Sequence, residues 1–477
     1  METDIAKTRD GGPGPGTSAR RTIAASCTLM FLISLDVTIV NVALPTIQHA
    51  LTVSTGSLGW ALVAYTLPFA TLMLSGGALS DRFGAARVFL AGIVLLGIGS
   101  TIDAAAPSFS LLVLGRVVQG FGAAFCMPSA LAVLRSSVPL ENLGRAIAMW
   151  TFSASMAISA GPIMSGVLVQ FWTWRGVFLI NIPIAVLVVY LILPEVRNAR
   201  RGPSAPGGTA DVLGQALYVV SFSMLIGGLI FLRNQVGAFQ WQVPVALLAL
   251  SAGGLAAFSW CERRAADPVV PASLMANKVF QSAVIVGGSI SLVNFGLVYC
   301  LGLYYGGAQG SSALRSGALF LPMMVACGVS TSCVEQIRRA IGDRMTVTAG
   351  LASQLAGSVF ICLLPHDVGW VCANAAFLGF GVGLALPPIT AGLLAAVDVQ
   401  IAGVASGALS SIRQFASAIG VAALGLLVQG SDNSIQVNLR AASAICAAAL
   451  AVALATYLAT SRSRVGVLHK ALQMDAR

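Results

Sequence analysis

Charge is what this sequence has least of. Of its 477 residues 9% are Asp, Glu, Lys or Arg and 57% are hydrophobic, whereas a water-facing domain carries about 25% charged residues. So few charges cannot cover a surface in water, which excludes an ordinary soluble globule and leaves lipid as the main solvent. Histidine is scarce too: His49, His366 and His469 fall in predicted loops or the tail, so no histidine metal site is expected. The nine cysteines stand singly, mostly in apolar runs, as Cys126, Cys327 and Cys446 do, without a CxxC pair or metal spacing. They read as small core side chains, neither disulfides nor ligands. There are no paired carboxylates, no His cluster, no Walker loop and no nucleophile elbow. That argues against an ATP-driven pump and against an enzyme, so no catalytic residue, metal or cofactor is expected. Residues 1–21 are polar, with a Gly/Pro run from Gly11 to Gly16, and read as a short cytoplasmic tail without a signal-peptide pattern.

What the chain has in abundance is apolar runs of spanning length. They fall at about 22–44, 57–79, 87–105, 109–132, 143–168, 175–194, 211–232, 243–261, 279–302, 314–334, 345–364, 368–392, 402–427 and 438–460. Each is long enough for a helix across the bilayer. Helices are required, because open strands leave backbone groups unsatisfied in lipid, and barrel strands would alternate in polarity. The expectation is an all-α polytopic membrane protein with fourteen spans. Charge placement supports it. With the N-terminus inside, only Arg175, Arg233, Arg315 and Arg440 fall in outer loops, and Arg116 and Arg413 lie within spans; every other one of the 27 lysines and arginines is on an inner segment. This satisfies the positive-inside rule and puts both termini in the cytoplasm. The net charge of +10 is therefore read as topology, not nucleic-acid binding. Omitting 211–232 and 243–261 would leave the same polarity, so charge alone does not decide twelve against fourteen; length and apolarity favour fourteen.

The predicted organisation is a tail at 1–21, a six-helix bundle at 22–194, a linker at 195–210, two extra helices at 211–261, a linker at 262–278, a second six-helix bundle at 279–460 and a cytoplasmic tail at 461–477. The first linker is basic and rich in Gly and Pro.

A charge inside a span costs about 2.5–3.5 kcal/mol at the centre on insertion scales, so each needs a reason. Asp36, in LDVTIVNVALP, is the one acid well inside a predicted span. A carboxyl there can hold and release a proton, or serve as a buried partner for an arginine. Ser34, Thr38 and Asn41 share one helix face, and Asp36 points about 160° from Thr38 at 100° per residue. Asp36 is expected on the cavity side, with the polar stripe against a neighbouring helix. Arg116, in LLVLGRVVQGFGAA, shares a face with Gln119, Gly120 and Ala123; it could bias a carboxyl, or bond to backbone carbonyls of a neighbour. Ser153, Ala157, Gly161 and Ser165 form a small-residue stripe for close helix packing, and Pro162 favours a kink. Ser406, Ser410, Arg413, Ser417 and Gly420 form a second stripe that must face protein or water. Asn41, Gln119, Asn294, Arg413 and Gln414 are the candidates for lining a substrate cavity. Between the second and third spans, GALSDRFGAAR offers Asp81, Arg82 and Gly84 as a loop in which Gly84 supports a tight turn and the charges bond to helix ends or to each other.

These segments together resemble the major facilitator superfamily, and in particular the fourteen-helix drug:proton antiporters. Gly77, Leu79, Asp81, Arg82 and Gly84 match the family's loop signature, although Ala85 and Ala86 stand where basic residues are usual. LDVTIVNVALP is similar to the first-helix motif, and Arg116, Gln119 and Gly120 to the fourth-helix motif. Gly161, Pro162 and Gly166 match the fifth-helix antiporter motif, with Ser165 in place of a glycine. WRGVFLINIP and SIRQFASAIG also look like family segments. The resemblance implies a major facilitator fold, with proton-coupled efflux of amphipathic drugs or antibiotics across a bacterial cytoplasmic membrane. It implies proton coupling at Asp36 and Arg116, and a gate latched by Asp81 and Arg82. The partners expected are a small-molecule substrate, protons and the bilayer, with no nucleic acid, and the protein is expected to be a monomer. A narrow-specificity metabolite transporter is the alternative; a non-transport membrane enzyme or a sensor is remote.

Overall fold

The computed structural model describes residues 17–54, 57–198, 212–233, 241–262, 264, 272–307, 313–363, 367–397, 402–427 and 432–475, and among them the regular structure is helical throughout. In chain order the helices are α1 (Thr17–Ala50), α2 (Trp60–Phe83), α3 (Ala85–Ala105), α4 (Phe109–Ser137), α5 (Leu140–Phe171), α6 (Gly176–Leu179), α7 (Asn181–Asn198), α8 (Val212–Arg233) and α9 (Gln242–Glu262). Then follow α10 (Ala272–Ala276), α11 (Lys278–Gly307), α12 (Ala313–Ala318), α13 (Leu321–Leu363), α14 (Val368–Ala395), α15 (Ala402–Leu427) and α16 (Asp432–Asp475). Most of the expected linkers at 195–210 and 262–278 lies outside the described residues, and α16 continues as helix through much of the expected tail at 461–477.

Ten helical stretches among the described residues are long and apolar enough to cross a bilayer, eleven when the pair Phe152–Ile158 and Ala160–Phe171, bent by 41°, counts as one span. One of the ten, Leu314–Leu363, runs for 50 residues, about 75 Å at 1.5 Å per residue, against a hydrocarbon core of about 30 Å. It breaks at Gly342, whose φ of 81° and ψ of 162° are not helical. Gly84, at φ 90°, makes the same kind of break between α2 and α3. These are the two positive-φ glycines among the described residues, one in each half of the chain. Each lets two rods meet across a single residue, in a positive-φ extended conformation that costs an L side chain about 1–3 kcal/mol.

Close backbone approach builds the bundles. Along α3 and α4, Gly92 faces Gly122 and Cys126, and Gly99 faces Gly115 and Gln119. Along the second rod of α13 and α14, Gly350 faces Gly381 and Ala385. A side chain at any of these glycines would meet neighbouring backbone, which is how small residues hold membrane helices together. α8 and α9 pack on each other, and α8 also touches α2 and α15. Phe222 stacks on Phe415 at 3.9 Å, and Tyr218 meets Phe415 edge-on at 5.1 Å. α8 thus lies across α2 and α15, on one side of the seam between the N-terminal and C-terminal halves.

The hydrophobic cores give the relation of the bundles. Away from the end at which α1 begins, Leu35–Ile47 of α1, Leu58–Val63 around the start of α2, and Phe178 share one cluster with Leu297–Tyr305 of α11 and most of the C-terminal bundle. Toward the end at which α1 begins, the N-terminal half keeps its own cluster, with Leu29, Phe69, Phe89 and Val133, and among the described residues Phe295 is the one residue of the C-terminal half packed on it. The bundles close on each other at the far end and part toward the near one.

Candidate functional site

Asp36 is fully buried in α1, on the side that faces α4 and α7. Its Oδ2 accepts from Arg116 Nη1 at 2.5 Å, and its Oδ1 accepts from Asn181 Nδ2 at 2.7 Å and from Gln119 Nε2 at 3.3 Å. Arg116 Nη1 also donates to Gln119 Oε1 at 2.7 Å, and Arg116 Nε donates to the Ala61 carbonyl oxygen of α2 at 2.8 Å. The guanidinium lies 4.5 Å from the Tyr65 ring centre and 5.9 Å from that of Phe178. Ser100 of α3 closes the network, its Oγ accepting from Gln119 Nε2 at 2.6 Å and from Asn181 Nδ2 at 3.3 Å. Five helices thus contribute to one buried ion pair whose hydrogen-bonding groups are largely satisfied. That satisfaction is the condition for tolerating two charges out of water. Arg116 realises both of its expected roles, as carboxyl partner and as donor to a neighbour's backbone.

The orientation expected of α1 is corrected. Thr38 and Asn41 line cavities between the bundles, and Asp36 lines neither. The carboxylate goes where its donors are, inside the bundle. Thr38 Oγ1 bonds to the Ser34 and Leu35 carbonyls, each at 3.1 Å, and Asn41 Nδ2 to those of Val37 and Thr38, at 3.2 and 3.3 Å. With donors satisfied on their own helix, these side chains can face a cavity at little cost.

Two cavities flank Phe295. The larger lies between α1, α5, α11, α13 and α14, and its lining includes Thr38, Pro162, Asn294, Phe320, Met323 and Met324. Among the described residues no charged one lines it. That lining suits an apolar or amphipathic group, and the Asn294 Oδ1 is buried without a hydrogen-bond donor among the described residues. The smaller is lined by Val37, Asn41, Leu62, Thr66, Arg116, Phe295, Ser417 and Val421.

Of the remaining candidates, Gln119 belongs to the ion-pair network and lines neither cavity. Arg413 and Gln414 do not line them either. Arg413 Nε donates to Ser291 Oγ at 3.3 Å, and its stem lies over Gly287, between α15 and α11. Gly161 packs on Thr38, and Pro162 lies at the larger cavity beside the bend of α5. Arg82 and Gly84 are exposed, with the Arg82 guanidinium 5.4 Å from the Phe83 ring centre. The Asp81 side chain is outside the described residues, so the expected Asp81–Arg82 latch is not seen.

Three residues of the site, Ser100, Asn181 and Asp103, were not among the candidates drawn from the sequence. Asp103 is in fact fully buried, with both carboxyl oxygens lacking a donor among the described residues. The available signals were an acid at the end of an apolar run, and its spacing of three from Ser100.

A family model described as Major Facilitator Superfamily matches residues 26–421. The multidrug resistance protein Stp of Mycobacterium tuberculosis (strain CDC 1551 / Oshkosh) is 32% identical over 411 residues, 85% of this chain and 75% of its own. The methylenomycin A resistance protein of Bacillus subtilis (strain 168) is 32% identical over 406 residues, 83% of this chain and 84% of its own. Among solved structures, the POT family transporter PepTSo superposes with a TM-score of 0.67 at 12% identity, covering 94% of this chain and 99% of that one. A bacterial homologue of the human lysosomal transporter Spinster, in an inward-facing and unoccupied conformation, gives 0.64 at 15% identity, covering 94% and 98%. At such identities these structures speak for the fold alone.

Proposed function

The chain belongs to the Major Facilitator Superfamily, and we propose that it is a proton-coupled exporter of small amphipathic drugs or antibiotics working by alternating access. The family makes it a multi-pass membrane transporter, not an enzyme, and its relatives include bacterial drug-efflux and antibiotic-resistance proteins. Fourteen spans follow if the break at Gly342 divides Leu314–Leu363 in two and if the bent α5 pair and the shorter apolar helices Trp60–Met73 and Ala216–Leu229 each cross. Both termini are then cytoplasmic, in keeping with the basic inner loops. The parting of the bundles toward the near end then corresponds to an inward-open state, and rocking of one bundle on the other would expose the cavity to the far side.

The observation that carries the reading is the buried Asp36–Arg116 pair beside the seam between the bundles. In this state Asp36 accepts from a guanidinium and two amide donors. A proton arriving on Asp36 would release Arg116, which also lines the smaller cavity. Protonation is thereby linked to the wall of the inter-bundle space. The membrane potential supplies about 2.3 kcal/mol per charge per 100 mV. Asp81, Arg82 and Gly84 would act at the inner gate, and Gly161 and Pro162 would let α5 bend.

The test is proton release from energised everted vesicles on addition of ethidium or puromycin, wild type beside Asp36→Asn, each checked for folding by size exclusion. Substrate-dependent proton release in the wild type, lost in a folded Asp36→Asn protein, is expected. Undiminished release in Asp36→Asn refutes the assignment.

A further inference from the structure

Asp36 and Asp103 are the two acidic side chains that the described residues bury completely, and the network above uses only the first. Asp103 lies two residues before the end of α3. Its carboxyl fills the space over Gly115, where an added Cβ would collide with Asp103 Oδ1. Arg116 is the next residue along α4. One turn earlier on the same face of α3, Ser100 accepts from Gln119 and Asn181, the two amides that also donate to Asp36 Oδ1. One face of α3 thus carries both Asp103 and a member of the Asp36 network, Ser100.

The charges around Asp103 decide its form. The charges that act on it are the Arg116 guanidinium of α4 and the Asp36 carboxylate of α1; the phenol of Tyr65 on α2 is buried near Arg116 without a hydrogen-bond partner among the described residues. α6 is Gly-Val-Phe-Leu and brings no charge, and α7 brings Asn181. Arg175, just before α6, is committed elsewhere: its Nη2 donates to the Ala106 carbonyl oxygen at 2.9 Å, and its guanidinium stacks 4.3 Å from the Trp174 ring centre. One buried guanidinium therefore serves two buried carboxyls. With Asp36 ionised against it, a second carboxylate without donors would stand uncompensated in low dielectric, at a cost of several kcal/mol. A protonated Asp103 avoids that cost.

We propose that Asp103 is a second proton-binding site that exchanges its proton with Asp36, Arg116 pairing with whichever carboxyl is ionised. The exchange balances. A proton leaves Asp103 and one arrives on Asp36, the guanidinium keeps its charge, and the pair of carboxyls carries one proton throughout. This rests on the reading of Asp36 as the coupling carboxyl, and it places the second site toward the far end of the bundle, beneath the Trp174–Arg175 cover.

The test is infrared hydrogen–deuterium difference spectroscopy of the purified, reconstituted protein at neutral pH, following the band of a protonated buried carboxyl. The band is expected in the wild type. It should be lost in Asp103→Asn, which has no acid there. It should also be lost in Asp36→Asn, where Asp103 ionises to take over Arg116, and it should return in Asp36→Asn/Arg116→Met. Survival of the band in Asp103→Asn overturns the proton assignment; survival in Asp36→Asn overturns the exchange. Dicyclohexylcarbodiimide labelling of the wild type, mapped by mass spectrometry, needs no variant. Label on the Asp103 peptide is expected, and label on Asp36 without Asp103 overturns the proposal. Neither measurement uses a transported drug, so failure of the efflux reading, seen as absent proton release with ethidium in the wild type, is told apart from failure of this one.

Discussion

Replacing Arg116 with methionine keeps an unbranched apolar stem over Tyr65 and removes the guanidinium. The loss can be worked from its contacts. Asp36 keeps the amide donors of Gln119 and Asn181 but loses its only cation, and breaking a buried pair by removing one partner costs about 3–5 kcal/mol. The bond to the Ala61 carbonyl goes as well, at about 1 kcal/mol. Most of this is the penalty of a stranded carboxylate, so it should be recovered by removing that charge too. Asp36→Asn/Arg116→Met is expected to be more stable than Arg116→Met alone. Lower pH should also narrow the gap, since the stranded carboxylate can take a proton. Unfolding is readable with a thiol-reactive fluorophore, because the thiols of Cys126, Cys300 and Cys446 are buried in the fold. A double variant no more stable than the single at neutral pH would refute the charge-stranding argument and leave Arg116 as a packing residue.

Two further predictions concern the inner loops. Gly84→Ala meets no steric obstacle, nothing lying within 4 Å of the added Cβ, so its cost is the backbone conformation at φ 90° alone, about 1–3 kcal/mol; an unchanged melting temperature would show that the junction adopts another conformation. Glu335 accepts from Arg338 and Arg339, and these bonds, that to Arg338 foremost, hold its carboxyl down to about 2. A depressed carboxyl contributes stability that is present above its unfolded value and is lost as pH falls through about 2. The group is fully exposed, so Glu335→Gln is expected to lower the melting temperature only slightly at pH 7, with high salt abolishing the difference; a large salt-independent drop would refute the surface assignment.

The spans were legible because lipid forces helices and because apolar runs of that length have no other reading in this composition. Asp36 and Arg116 were legible for the converse reason: a charge in such a run demands a partner. Their mutual partnership was not, since nothing in spacing says that residues eighty positions apart meet. The same gap produced the error on α1. The helical wheel placed Asp36 opposite Thr38 correctly, but which side faced the cavity depended on where Gln119 and Asn181 stood on other helices. Arg413 shows the limit from the other side: its stripe had to face protein, and protein turned out to be Ser291 and Gly287 of α11, not a cavity. Asp103 was passed over because the end of an apolar run is where an acid ordinarily meets water; here Gly115 leaves a void that draws the carboxyl inward.

Arg116 belongs to two neighbourhoods at once, and that constrains how a substrate could be coupled. On one side it holds Asp36; on the other it walls the smaller cavity with Asn41, Thr66 and Ser417. The larger cavity, beyond Phe295, has no charged lining residue. A cationic substrate near Arg116 would be opposed by the guanidinium, so a lipophilic cation is expected to bind in the larger cavity, held by apolar contact and Asn294. An anionic or strongly polar one would favour the smaller cavity and compete with Asp36 for the same guanidinium. In the first case proton and substrate are coupled through movement of the bundles; in the second, through direct exchange of partners at one side chain. Arg116→Met separates the two. Binding of an anionic ligand should weaken by tenfold or more, the worth of a charged hydrogen bond of about 1.5–3 kcal/mol, while binding of ethidium should hold or tighten. Equal weakening of both would mean that the variant had disturbed the bundle itself, and that the two cavities act as one site.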